Sequence, residues 1–160
     1  MKKTCGCFIL VLSLQSPVYV GVYNSDYRLI HVFSVSKPTN FALSEIFEIL
    51  LKWIKERCYQ IQALYYAKGP GSFMAMKLTH VFMHTWVLLN PVPLYSTLSF
   101  VFNQHTPIKA FGKMYYVLSQ EQVKLCALES VLEIPMCLPP VLDFSAFCTN
   151  NQPLYLLPPV

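Results

Sequence analysis

Along residues 1–160 the apolar positions cluster in runs of two kinds. Phe8 to Leu14 is a short apolar run, interrupted only at Ser13, the pattern of a buried strand. Val18 to Tyr23 is a second β-rich run, and "NSDY" at 24–27 is a turn signal. Leu29 to Val35 alternates loosely as a third strand, so the first 35 residues predict a three-strand meander. After the loop "SKPTN", the pattern from Leu43 to Arg57 is helical. Glu45, Glu48, Lys52, Lys55 and Glu56 line one stripe at spacings of three and four. Leu43, Ile46, Phe47, Leu50, Trp53 and Ile54 fill the rest, an arc wider than one core-facing side requires. Ile61 to Tyr66 is a short strand, "AKGPG" a turn, and Ser72 to Leu89 a second helix.

That second helix is apolar nearly all round. Lys77, His80 and His84 make one narrow polar stripe among Phe73, Met74, Met76, Leu78, Val81, Phe82, Met83, Trp86 and Leu89. Such a helix is buried on two sides, and three methionines suit an adaptable contact surface. "NPVP" at 90–93 stops it. Leu94 to Phe102 predicts a short strand and a helical turn, and Pro107 to Ser119 strands broken at Gly112. Beyond Glu121 the pattern weakens. Glu121, Glu129 and Glu133 have spacings that suit the solvated side of a helix. "IPMCLPPVL" and "QPLYLLPPV" are Pro-punctuated extended segments. Strands followed by helix, strand and helix predict a mixed α/β domain.

Composition sharpens this picture. Hydrophobic residues make up 54% and charged residues 12%, against about 45–50% and about 25% in an ordinary soluble domain. A spanning helix needs about 20 apolar residues, and the best stretch, Val81 to Leu98, contains His84, Thr85, Asn90, two prolines and Ser96. A protein partner is therefore the expected cover for the excess apolar surface. Lys2 and Lys3 precede an apolar run, but no small-x-small cleavage site follows it, so the N-terminus is expected to be a strand rather than a leader. The net charge of +4 is modest and forms no basic block. The six cysteines contain no C-x-x-C pair and are expected to be reduced, mostly buried thiols of a cytosolic protein.

Candidate chemistry centres on "AKGPGSF" at 67–73. A strand entering a Gly-rich turn and a helix N-terminus presents unpaired N–H groups to an anion, and Ser72 is a sound N-cap. The same residues serve equally as a tight strand-to-helix connection. No Gly-Lys-Ser/Thr follows, so the turn is not a Walker A loop. His80 and His84 stand four apart on one helix face, a spacing able to hold one metal edge-on, but His31, His105, Glu45 and Glu48 supply no evident third ligand, and no metal is expected. Neither a G-x-S-x-G elbow nor a cysteine-nucleophile signature is present, and no catalytic residue is assigned.

"IQALYYAKGPGSFMAMKL" at 61–78 resembles the signature of the TsaB (YeaZ) family. Ile61, Ala63, Gly69, Pro70, Gly71, Ser72 and Phe73 match it, with Lys77 where the family has arginine. "ILVLSLQSPVYVGVYNSD" at 9–26 is similar to the family's opening hairpin, and "QPLYLLPPV" at 152–160 resembles its Pro-x-Tyr-Leu ending. The resemblance implies an α/β, actin-like ATPase (ASKHA, RNase H-like) fold with a mixed sheet. It also implies an N-terminal lobe over 1–103 and a shortened second lobe over 104–160. It implies a cytoplasmic, non-catalytic subunit that binds the related TsaD enzyme in threonylcarbamoyladenosine synthesis at tRNA position 37. A TsaE-like ATPase would complete that complex, tRNA would be contacted indirectly, and a homodimer would form in isolation. No cofactor is expected on this chain alone, with ATP or ADP in the complex. The expected interface is Leu43, Phe47, Leu50, Trp53 and Ile54 from the first helix and Phe73, Met76, Lys77, His80, Met83 and His84 from the second. Gly69, Pro70, Gly71 and Ser72 would shape a turn near the partner's nucleotide.

The departures from the family pattern remove polar or small residues. Ser13 stands where the superfamily places an aspartate near phosphate and metal, and Met74 and Ala75 replace threonine and glycine. Lys109, Phe111 and Lys113 stand where the family has aspartate, arginine and glutamate or their near neighbours. These losses favour a scaffold over the rival readings, an autonomous ATP-dependent or hydrolytic enzyme of the same fold and an interaction protein unrelated to tRNA.

Overall fold

The computed structural model describes residues 3–154, and most of the "QPLYLLPPV" ending lies outside them. Strand β1 (Cys5–Leu12) is central. Ile9 and Val11 point to one face of the sheet and Leu10 and Leu12 to the other, all fully buried. An unbroken apolar run is what a strand covered on both sides requires. β2 (Val18–Tyr23) and β3 (Leu29–Val35) complete the expected antiparallel meander, with β1 and β2 in register from Phe8↔Tyr23 to Leu12↔Tyr19. β3 is an edge strand, which explains its looser alternation.

Helix α1 (Thr39–Glu56) starts four residues earlier than its apolar pattern suggested. Past its C-terminus, Cys58 takes a left-handed backbone (φ 55°) and donates its N–H to the Lys55 carbonyl. β4 (Tyr59–Gly69) lies parallel to β1, and α2 (Phe73–Leu89) carries the chain to β5 (Leu94–Leu98), parallel to β4. The sheet order is β3-β2-β1-β4-β5. The face bearing Ile9 and Val11 is covered by α1 and by Met83 of α2, and the two helices meet through Phe47 against Phe82 and Trp86 (ring centroids 4.9 and 5.6 Å). No helix among the described residues is long and apolar enough to cross a membrane.

Beyond a 3-10 turn at Ser99–Phe102 the chain enters a second sheet. Its strands are β6 (Ile108–Phe111), β7 (Met114–Ser119) and β8 (Gln122–Ala127), all antiparallel. β8 corrects the helical reading of the late glutamates. Glu121 sits in the β7–β8 turn at φ 62°, Glu129 makes an exposed ion pair with Lys113 (3.6 Å), and Glu133 lies in a loop.

The second face of the main sheet, bearing Leu10 and Leu12, packs against Ala75 and Met76 at the start of α2, and an extended belt over 135–151 crosses it. Met136 and Leu142 are buried there, and Phe147 packs on Tyr65 (4.8 Å). Backbone bonds fix the path: Cys137 N–H to the Phe102 carbonyl (2.9 Å), Leu29 N–H to Pro140 (2.9 Å) and Leu142 N–H to Tyr27 (2.8 Å). The Tyr23 hydroxyl donates to the Pro139 carbonyl (2.8 Å). The thiols are free, as expected, but only Cys7 is buried, while Cys5, Cys137 and Cys148 are exposed. The belt runs over the surface, so its two cysteines are exposed there.

Candidate functional site

The end of β1 and the turn before α2 converge, as the anion-site reading requires, but most of their polar groups are already engaged. Ser13 is fully buried, and its Oγ lies 2.6 Å from Thr79 Oγ1 on α2. The Thr39 hydroxyl donates to the Ser13 carbonyl (3.0 Å), tying in the start of α1. Gln15 is bound at both ends of its amide. Its Nε2 donates to the Met136 carbonyl and its Oε1 accepts from Met136 N–H, each at 2.8 Å. This pair ties the belt to the end of β1.

The glycines of "GPG" answer to packing. Gly69 has φ +137°, and a Cβ there would stand 2.6 Å from Met76 Sδ. A Cβ on Gly71 would meet Leu14 Cβ at 2.9 Å, so this close backbone approach is to a leucine just past the end of β1. Ser72 caps α2 as expected, accepting from Ala75 N–H (3.4 Å), and its carbonyl takes Met76 N–H (2.9 Å). Two clefts flank Leu14–Ser16. One, of about 310 Å³, is lined by Pro70, Gly71, Asn103, Lys109, Glu133 and the start of the belt. The other, of about 390 Å³, is lined by Lys37, Thr39, Ser72 and Ala75, and Lys37 there is paired with Glu45 (2.6 Å). Among the described residues no three His, Cys, Asp or Glu side chains converge on a point that could hold a metal ion.

The helix residues expected at a partner interface divide by face. Leu43, Phe47, Leu50 and Ile54 of α1, and Met76 and Met83 of α2, are buried in this chain's own core. They are a correction: the sheet takes the most continuous stripe of each helix, and these side chains do not reach the surface. Trp53 is half-buried in an aromatic stack with His31 (4.9 Å) and Tyr59 (5.5 Å), under the Arg57 guanidinium (4.6 Å). His80 and His84 are half-buried, and their rings turn to the carbonyl of Asn151 in the chain's own C-terminal segment, at 3.2 and 3.4 Å. Burial, then the neighbouring His84, holds the His80 imidazole below its usual range, and the Asn151 carbonyl opposes them.

Phe73 and Lys77 are exposed. Other exposed apolar side chains on the two helices, which the helical pattern did not single out, are Phe41 and Ile49 on α1, Met74 and Val81 on α2, and Leu88 and Leu89 at its end, the last two 81% and 77% exposed. The only signal for them in the sequence was the excess width of the apolar arcs. Gln15 and Asn103, which line the cleft, and Thr79, which holds Ser13 behind it, carried no local signal.

No protein-family model matches the sequence, and no curated protein matches it. Solved structures do. "YeaZ from Pseudomonas aeruginosa" superposes with a TM-score of 0.56 over 80% of this chain and 68% of that one, at 14% identity. A structure described as an uncharacterized protein with similarity to peptidase YEAZ from Pseudomonas aeruginosa gives 0.54 over 80% and 67%, at 12% identity. With a mixed five-strand sheet carrying two helices on one face, the chain has the α/β fold of the YeaZ structure.

Proposed function

We propose that this chain is a non-catalytic, TsaB-like subunit. Its outer α1/α2 surface binds a TsaD-like enzyme and supports threonylcarbamoyl transfer to adenosine 37 of tRNA in the cytoplasm. One observation carries this reading: an apolar surface spread over the outer sides of both helices, from Phe41 and Ile49 to Met74, Val81, Leu88 and Leu89. A monomer in water gains nothing from such a surface, and burying it against a partner yields about 25 cal/mol per Å² before the costs of association. Gln15, which lines both clefts, has its amide bonded at both ends within the chain, and the nearby Ser13 hydroxyl is bonded to Thr79; both support the non-catalytic part. ATP or ADP, and a TsaE-like ATPase, belong in this reading to the assembled complex. In isolation the same surface would pair two copies of this chain.

The test is co-purification with the TsaD of the same organism, using Met74→Glu and Val81→Glu, which alter exposed positions and leave the core intact. A stoichiometric complex that both substitutions abolish is the expected result. No complex, together with ATP-dependent thermal stabilisation of the isolated chain, would overturn the proposal and favour an autonomous nucleotide-binding enzyme.

A further inference from the structure

The two outer strands of the main sheet end differently. β5 pairs with β4, and part of its other edge is covered by residues 148–151, where Ser96 and Cys148 exchange both backbone hydrogen bonds, each 2.9 Å. β3 pairs only with β2. Its start is held by the belt, Leu29 N–H donating to the Pro140 carbonyl (2.9 Å), and a bulge at Ile30 interrupts the ladder to β2. From His31 to Val35 that ladder is regular, and among the described residues no other backbone group bonds to this segment's outward edge.

A bare edge is a template for another strand, and sheets guard it with Lys, Pro or a covering segment. "HVFSV" at 31–35 contains no Lys, Arg, Asp, Glu or Pro. Val32 and Ser34 are exposed, while His31 and Phe33 are half-buried against Trp53 of α1 (ring centroids 4.9 and 6.2 Å).

The segment is complementary to itself. Antiparallel pairing about a two-fold axis at Phe33 sets Phe33 against its own copy, His31 against Val35 and Val32 against Ser34, and gives every outward amide of the segment a carbonyl. Arg28 and Lys37, the cations flanking the strand, fall opposite Pro38 and Leu29, so no cation meets a cation. Charge complementarity also favours a second copy. Lys37, two residues past Val35, pairs with Glu45 (2.6 Å), so the acidic start of α1, with Glu45 and Glu48, stands at the Val35 end of the segment. Trp53 stacks on His31, so the basic half of α1, with Lys52 and Lys55, stands at the His31 end. The axis sets the Val35 end of one copy beside the His31 end of the other, and turns the acidic half of each α1 toward the basic half of its counterpart.

The geometry points to β3 as a self-pairing edge: two copies of this chain join through antiparallel His31–Val35 strands into one continuous sheet. The edge lies apart from the α1/α2 surface assigned to a TsaD-like enzyme, and its pairing does not depend on that assignment.

The test uses the full chain carrying Met74→Glu and Val81→Glu, which removes pairing through the α1/α2 surface. Sedimentation equilibrium at about 100 μM should give about twice the monomer mass. Adding Val32→Lys, a guard on the edge, should halve that mass, whereas Val32→Thr, β-branched and uncharged, should leave the dimer. In the wild-type chain, hydrogen exchange within His31–Val35 should slow at least about threefold between about 1 and about 100 μM, with β1 unchanged. A monomeric Met74/Val81 variant, a dimer that survives Val32→Lys, or exchange at His31–Val35 independent of concentration would each overturn the proposal. Should the variants not fold, the wild-type exchange decides alone. Failure to bind a TsaD-like enzyme would leave all these outcomes unchanged.

Discussion

The bond between Ser13 and Thr79 offers a quantitative test of how the cleft is built. The two hydroxyls are 66 residues apart in sequence and 2.6 Å apart in space, with both residues at most 1% exposed. Ser13→Ala, or Thr79→Val, leaves the surviving hydroxyl buried with no partner, at a cost of about 1–3 kcal/mol. For a chain of this length each kcal/mol lowers Tm by about 2–4 °C, so each single variant should melt about 2–12 °C below wild type. The double variant leaves no polar orphan and should lie within about 1 kcal/mol of wild type. Circular dichroism melts, with urea titration for the free energies, give the full double-mutant cycle. Ser13→Asp adds the functional arm. An aspartate there puts a carboxylate at a fully buried position beside Thr79, which should cost several kcal/mol and bring no ATP-dependent stabilisation. The reasoning fails if the double variant loses the sum of both singles, or if Ser13→Asp folds normally and gains stability from ATP.

Two further outcomes rest on other parts of the fold. Burial pushes the Cys7 thiol up to about 11, so at about pH 8 a thiol reagent should label exposed Cys5, Cys137 and Cys148 first and Cys7 only on unfolding. Because Cys7 in the fold, and Tyr65 and Tyr66 (each raised to about 12, mainly by burial), hold their protons more tightly than the unfolded chain, stability is complete below pH 9.0 and falls as pH rises through 9.0 to about 12. Melting temperatures that stay level across that window would contradict this burial. Gly69→Ala should cost more than about 1 kcal/mol, from its φ of +137° and the approach to Met76 Sδ, and more than Gly112→Ala, whose Cβ meets nothing within 4 Å. Equal losses in the two denaturation curves would refute the packing role assigned to Gly69.

The sequence by itself determined what local patterns encode. The unbroken apolar run of β1, the alternation of β3, the Ser72 cap and the proline stop after α2 each act within a few residues, so each is legible along the chain. The apolar width of both helices was legible as well, and with it the need for a second cover. Which face each helix gives to the sheet was not, because a helix apolar nearly all round offers no stripe to choose by. Only the tertiary structure placed Leu43, Phe47, Leu50, Met76 and Met83 inward and left Ile49, Met74 and Val81 outward. It also placed β8, whose short alternation beside a Gln-Glu turn resembles a solvated helix. The belt was the largest element out of reach. Its Pro-rich segments form no periodic pattern, and it is defined by partners such as Gln15 with Met136, 121 residues apart, and His80 with Asn151, 71 residues apart. Local periodicity records what a residue does relative to its neighbours in the chain, whereas the cover of the second sheet face and the closure of the cleft depend on which distant backbone groups meet in space.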